Sequence, residues 1–165
     1  MRAKLLFFAA PAAAALALDQ LTKAWVQASF RLYESRPVIE GWFHLTYVRN
    51  PGAAFGLFAD HGAGFRTPFF VIVTLVALAA IGVAVARLTP DRRWTLGALG
   101  LVTGGALGNL MDRLRLGEVV DFLDVFWRSY HWPAFNMADS AITVGVAMLL
   151  LEEFLDRKPR EERPQ

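Results

Sequence analysis

Phe69 to Ala86 reads FFVIVTLVALAAIGVAVA, a run without one charged or strongly polar side chain. A helix needs roughly 17–25 mostly apolar residues to cross the hydrocarbon core of a bilayer. This stretch is long enough, and its solid apolar block is a helix pattern rather than the alternating pattern of a barrel strand. Working outward, Trp94 to Met111 (WTLGALGLVTGGALGNLM) is a second uncharged run, interrupted only by Asn109. Leu5 to Leu18 is shorter but continues through Asp19 and Lys23 to Val26, and Pro133 to Leu151 supplies a fourth segment. The expected fold class is therefore an all-α membrane protein with four transmembrane helices near 5–26, 69–86, 94–111 and 133–151.

Composition supports this. Hydrophobic residues make up 55% of the 165-residue chain and charged residues only 19%, whereas a soluble domain carries about 25% charged residues. The pI near 9.3 raises the question of nucleic acid, but the basic residues flank apolar runs, so topology accounts for them and no nucleic-acid partner is expected. There is no cysteine, which removes disulfides, thiolate nucleophiles and Cys-based metal sites. The N-terminus, MRAKLLFFAAPAAAALALDQ, also fits a secretory signal peptide; three further spans and the residues after Leu18 favour a retained first helix. Arg2, Lys4, Arg87, Arg92, Arg93, Arg157, Lys158, Arg160 and Arg163 crowd the short segments on one side. That side should be cytoplasmic, with both termini inside and the two long segments, near 23–66 and 113–135, outside. In those segments Trp42 to Val48 and Glu118 to Trp127 have strand character, and Asn50-Pro51-Gly52 marks a turn. A small extracytoplasmic β-ribbon or sheet on the membrane surface is expected.

Ionisable side chains in spans are costly and often functional. Asp19, Asp112 and Asp139 lie toward the outer ends of their spans, and Asp121 lies just beyond the third, so four carboxylates converge at one depth. Structural roles compete with function at each. Asp19 and Lys23 are four residues apart and can pair on one helix face. Asp112 and Arg113 read as a structural ion pair or interface anchors. Asp139, beside Ser140, suits helix capping. Asp121 alone has a plain alternative as an exposed loop carboxylate, which is also how Asp124 reads. Gly100, Gly104 and Gly108 line one helix face and favour close packing. The histidines at 44, 61 and 131 show no metal-ligand spacing, so no metal site is expected.

Asp19-Gln20-Leu21-Thr22-Lys23, Arg49-Asn50-Pro51-Gly52-Ala53-Ala54-Phe55-Gly56, Gly104 to Arg113 (GGALGNLMDR), Val119-Val120-Asp121-Phe122 and Phe135-Asn136-Met137-Ala138-Asp139-Ser140 together resemble the signature blocks of the lipoprotein signal peptidase (signal peptidase II) family. The blocks come in the family's order and span almost the whole chain. The resemblance implies an aspartic endopeptidase that removes the signal peptide from diacylglyceryl-modified bacterial prolipoproteins, cleaving immediately before the lipidated cysteine. It implies Asp121 and Asp139 as the catalytic pair, with Asn50, Gly52, Asn109, Arg113 and Asn136 supporting site and substrate. Asp19, Lys23 and Asp112 would stabilise the frame. Two carboxylates sharing a proton hydrolyse an amide without a cofactor, with Asp139, at a helix start, as the ionised member.

On this basis residues 1–156 form one integral membrane peptidase domain and 157–165 a charged cytoplasmic tail. The expected location is the bacterial cytoplasmic (inner) membrane, with the site at the extracytoplasmic face. There the aromatic residues Trp42, Phe43, Phe55, Phe58, Trp127 and Trp132 suit the interface. Partners are prolipoprotein substrates and membrane lipids, and the chain is expected to act as a monomer. A proton-relay transporter is disfavoured because the span centres carry no charge, and a purely structural helical partner leaves the outer Asp/Asn cluster unexplained.

Overall fold

The structure is a computed structural model that describes residues 2–52 and 62–156. Among these residues the chain forms four α-helices and a four-stranded sheet. The order is α1 (Arg2–Ser29), β1 (Ser35–Ile39), β2 (Phe43–Asn50), α2 (Ala63–Arg87), α3 (Arg93–Leu116), β3 (Val119–Trp127), β4 (Tyr130–His131) and α4 (Met137–Asp156). Of the sequence expectations, Ala53, Ala54, Phe55, Gly56, Phe58 and His61, and the tail from 157 onward, lie outside the described residues.

The helices outrun the apolar windows that announced them. α1 and α2 are each long and apolar enough to cross a membrane on composition alone. α3 and α4, at 24 and 20 residues, are shorter and dilute their apolar runs with Asn109, Asp112, Arg113 and Arg115, and with Asp139, Glu152 and Glu153. The fourth helix begins at Met137, not near Pro133: the four residues before it form an extended connection that pairs Phe135 with Leu123. α3 stops at Gly117, whose positive φ of 74° lets its N–H reach the Arg113 carbonyl at 3.0 Å, a left-handed cap that a Cβ would strain.

α3 is the central helix, with α1 and α4 packed along it. Small residues make this possible. A Cβ at Gly100 would meet the carbonyl of Phe8, one at Gly104 the carbonyl of Ala12, and one at Gly108 the carboxylate of Asp19, so the stripe expected from sequence faces α1. On its other side a Cβ at Gly105 would meet the carbonyl of Ala138 in α4. Within lipid there is no hydrophobic drive between helices, so close backbone approach supplies the packing attraction. Outward-facing positions are left apolar, among them Leu6, Leu21, Ile72, Val76 and Leu150, each at least 60% exposed. Apolar exposure on that scale marks a surface that meets something other than water.

The sheet is antiparallel throughout, in the order β1-β2-β3-β4. It caps one end of the bundle. Val26, from the last turn of α1, and Phe30, just past its end, pack with Tyr47, Val120 and Phe122 beneath it. The opposite end gathers the other helix termini: the Lys4 ammonium donates to the Ala86 carbonyl at 3.0 Å, Arg93 lies over Phe7, and Arg92 and Thr95 meet Glu152.

One substitution made twice separates packing glycines from idle ones. Gly82 has open space where a Cβ would go, so Gly82→Ala should be neutral or stabilise by up to about 1 kcal/mol. Gly104→Ala should instead destabilise by about 1–3 kcal/mol, because the helix backbones must separate. Thermal unfolding of the two variants in detergent measures the difference.

Candidate active site

The site begins with a buried ammonium. Lys23, 1% exposed, places Nζ 2.9 Å from Asp19 Oδ2 one turn earlier on α1 and 2.9 Å from Asp112 Oδ2 on α3. Its third N–H donates to Asn109 Oδ1, also at 2.9 Å. All three donors of the group are thereby used. The carboxylates are held in turn: Ala138 N donates to Asp19 Oδ1 at 2.9 Å and Val120 N to Asp112 Oδ2 at 3.1 Å. Gln20 adds its amide N–H to both, at 3.1 and 3.3 Å. The cluster therefore stitches α1, α3, β3 and α4 together. Asp112 pairs with Lys23 rather than with Arg113, contrary to the sequence expectation. Neighbouring helix residues point about 100° apart, and Arg113 turns instead to the Gly52 carbonyl at 3.2 Å and to the face of Phe70.

Beside this cluster lie Asp121 and Asp139. Asp121 sits on β3, 2% exposed, so it is neither a loop residue nor exposed. Each of its oxygens accepts one amide: Oδ2 from Asn50 at 3.0 Å and Oδ1 from Asn136 at 2.7 Å. Asn50 ends β2 and is oriented by Gly52, whose N–H donates to Asn50 Oδ1 at 3.0 Å. Asp139 stands in the first turn of α4. Its Oδ1 accepts from Asn109 Nδ2 at 2.8 Å and its Oδ2 from the backbone N of Asn136 at 3.2 Å. Asn136 Oδ1 accepts the Asp139 N–H at 2.9 Å, which completes a reciprocal capping box at the helix start. The cap of α4 and the contact of Asp139 with Asn109 are thus one arrangement. Through its side chain and its backbone, Asn136 holds both carboxylates.

Burial, with the neighbouring negative charge of Asp139 second, pushes the Asp121 carboxyl up to about 7; its bonds from Asn50 and Asn136 and the charge of Lys23 oppose the rise. Two adjoining carboxyls, one of which keeps its proton near neutrality, can act as a general acid and a general base.

The family model described as signal peptidase (SPase) II matches residues 11–155. The chain belongs to the signal peptidase II family. It is 52% identical over 149 residues to a protein named lipoprotein signal peptidase from Geobacter sulfurreducens, covering 90% of this chain and 91% of that one. It is 46% identical over 160 residues to one of the same name from Syntrophus aciditrophicus, covering 97% and 99%. A solved structure described as a bacterial membrane enzyme superposes with a TM-score of 0.83 at 32% identity, covering 94% of this chain and 92% of that chain.

Asp19, Lys23, Asn50, Gly52, Asn109, Asp112, Arg113, Asp121, Asn136 and Asp139 all meet in this one region. Gln20, inside the first signature block, was not singled out as a site residue; its spacing to Asp19 and Lys23 gives no hint that it reaches across to α3. Asp124 is not an exposed loop carboxylate. It stands on β3, 16% exposed, and hydrogen-bonds His131 Nδ1 at 2.9 Å. His131 stacks on Phe126, against whose edge His44 also packs, away from the paired aspartates.

The titration of Asp121 should follow its neighbours. Isotope-edited infrared spectroscopy of the carboxyl band should give a midpoint of about 7. Asp139→Asn, which removes a neighbouring negative charge, should lower that midpoint, and Asn50→Leu, which removes a bond favouring the charged form, should raise it.

Proposed function

We propose that the chain is an aspartic endopeptidase of the bacterial cytoplasmic membrane. It removes the signal peptide from prolipoproteins whose cysteine carries diacylglycerol, cleaving immediately before that cysteine. The observation that carries the assignment of the pair is the double grip of Asn136, 2.7 Å from Asp121 Oδ1 and 3.2 Å from Asp139 Oδ2, in a member of this family. Asp139 acts as the base and takes a proton from the attacking water. Asp121 donates its proton to the scissile carbonyl oxygen. As the tetrahedral intermediate collapses, Asp121 recovers a proton from the gem-diol and Asp139 protonates the departing cysteine nitrogen, which restores the starting state.

The four helices are taken as four spans, and the basic ends as the cytoplasmic side. The clustering of Lys4, Arg92 and Arg93 at the end opposite the sheet supports that orientation. The site then lies at the extracytoplasmic boundary under β2 and β3. Trp42 and Trp127, stacked at 6.4 Å and more than half exposed, together with Trp132, suit the lipid–water interface. The chain is taken to act as a monomer. Residues 1–156 work as one domain with 157–165 as its cytoplasmic tail.

Asp121→Asn and Asp139→Asn should each reduce cleavage by at least about 10²-fold, the scale of one lost acid or base, while the unfolding temperature changes little. Asp124→Asn should keep near-normal turnover. A wild-type rate in Asp121→Asn removes the dyad. The wild-type rate should also fall as pH rises through about 7, where Asp121 loses its proton.

Two acyl chains hold a substrate in the bilayer far more firmly than one and fix the depth of its cysteine, so lipid should align the scissile bond as well as concentrate it. In proteoliposomes, a diacylglyceryl prolipoprotein peptide should be cut much faster than its unlipidated form at equal membrane density, and a chelator should leave that rate unchanged. Equal turnover of the two substrates contradicts the proposed specificity.

A further inference from the structure

The two aspartates differ in what stands behind the amides that hold them. Asp121 accepts from Asn50, whose own oxygen receives a neutral backbone N–H, and from Asn136, whose oxygen receives the N–H of Asp139. Asp139 accepts from Asn109 at 2.8 Å, and Asn109 passes its oxygen to the Lys23 ammonium at 2.9 Å. One amide plane thus joins a buried cation to one carboxylate of the pair. An amide whose oxygen is held by a cation becomes a stronger donor through its nitrogen, since hydrogen bonds in a chain polarise one another and low dielectric magnifies the effect.

We propose that Lys23 is a positioning residue for the reaction: through the polarised amide of Asn109 it selects Asp139 as the ionised base and so leaves the proton on Asp121. This rests on the dyad assignment above and deepens it. Lys23 donates to Asp19, Asp112 and Asn109 and to neither aspartate of the pair, so its influence is indirect. The charged groups facing the pair are Asp19 and Lys23 from α1, Asp112 and Arg113 from α3, Asp121 from β3 and Asp139 from α4.

A double-variant cycle makes the proposal separable from a plain field effect. Acting only through space, the Lys23 charge favours the ionised pair, as it does at Asp121, whether or not the Asn109 amide is present. Acting through Asn109, it moves the acid limb of the pH–rate profile only while that amide is there. The two cases differ in whether the effect of Lys23 survives Asn109→Leu.

The experiment is the kcat/KM profile of the full-length protein on a diacylglyceryl prolipoprotein peptide in detergent micelles. The wild type is compared with the neutral triple variant Asp19→Asn, Lys23→Met, Asp112→Asn, which strands no charge. The relay requires the acid midpoint to rise by about one pH unit, the size of replacing a charge-assisted hydrogen bond by a neutral one. A midpoint that falls or stays overturns it. A purely structural role for Lys23 lowers the whole profile by reducing the folded fraction and leaves the limb in place. Asn109→Leu provides the second arm. It should raise the acid midpoint, and adding the neutral triple to it should cause no further rise; a further rise as large as the one seen with Asn109 present means Lys23 acts through space and overturns the relay. Should the triple variant not fold, the pair Lys23→Gln with Asp112→Asn, which leaves the net charge of the cluster unchanged, replaces it in both arms. An active Asp121→Asn defeats the dyad itself, whereas an inactive Asp121→Asn with an unmoved acid limb defeats only the relay.

Discussion

The Lys23 ammonium, closed by Asp19, Asp112 and Asn109, is the constraint on which the rest of the molecule depends. A charge this deep is tolerable only if every donor is used, because removing one partner of a buried pair costs about 3–5 kcal/mol. Satisfying it requires α1 and α3 to lie close enough for side chains of two-carbon reach to meet. Gly108 provides that closeness, since a Cβ there would occupy the position of the Asp19 carboxylate. Asp19 then accepts from Ala138 N and Asp112 from Val120 N, so the same ion cluster fixes where α4 begins and where β3 leaves α3. The glycine stripe, the ion cluster and the placement of the aspartates are successive consequences of one packing decision.

Helix capping supplies the next step. The first backbone N–H groups of any helix lack intrahelical partners, and Asn136 with Asp139 satisfies two of them reciprocally. In most helices such a box merely ends the helix neatly. Here the capping carboxylate also meets Asn109, and the capping asparagine also meets Asp121. Both side chains are therefore rigid before any substrate arrives, and preorganised groups need no rearrangement during reaction. One geometry caps α4 and holds Asp139 against Asn109, so a structural role does not compete with the proposed catalytic one.

What sequence alone conveyed depended on how local the determining forces were. α2 was plain, because an uncharged apolar run needs no knowledge of its neighbours. The strand character of Trp42 to Val48 and of Glu118 to Trp127 is visible in their aromatic and β-branched residues, and β2 and β3 form there. β1 is not visible: Ser-Arg-Pro-Val-Ile is exposed at every position, so no buried face imposes alternation, and Pro37 is tolerated because this is an edge strand. Pro133 to Phe135 looks apolar and so reads as the start of α4, whereas Phe135 spends its N–H and its C=O on β3. Adjacency, which is what a sequence displays, suggests Arg113 as one partner for Asp112. Its true partner, Lys23, is 89 positions away, and only the small residues between the helices reveal the approach. The resemblance to a family brought the site residues together where spacing alone left each with a bland alternative.

The last joint is between sheet and helix. Asp121 belongs to a strand and Asp139 to a helix, and nothing in either element's own pattern brings them together. The connection is the short extended segment before α4. Phe135 accepts from the N–H groups of Phe122 and Leu123 at 3.0 and 2.8 Å and donates its own N–H to the Leu123 carbonyl at 3.1 Å. These bonds pin the residue immediately before Asn136 to the residues immediately after Asp121. Asn136 is thereby delivered beside Asp121 with its side chain free to bridge, and Asp139 follows one helical turn later. A membrane helix alone could not do this, because its backbone groups are consumed internally. The sheet contributes the open hydrogen-bonding edge that a helix lacks, and for this reason the paired carboxylates form where strand and helix meet.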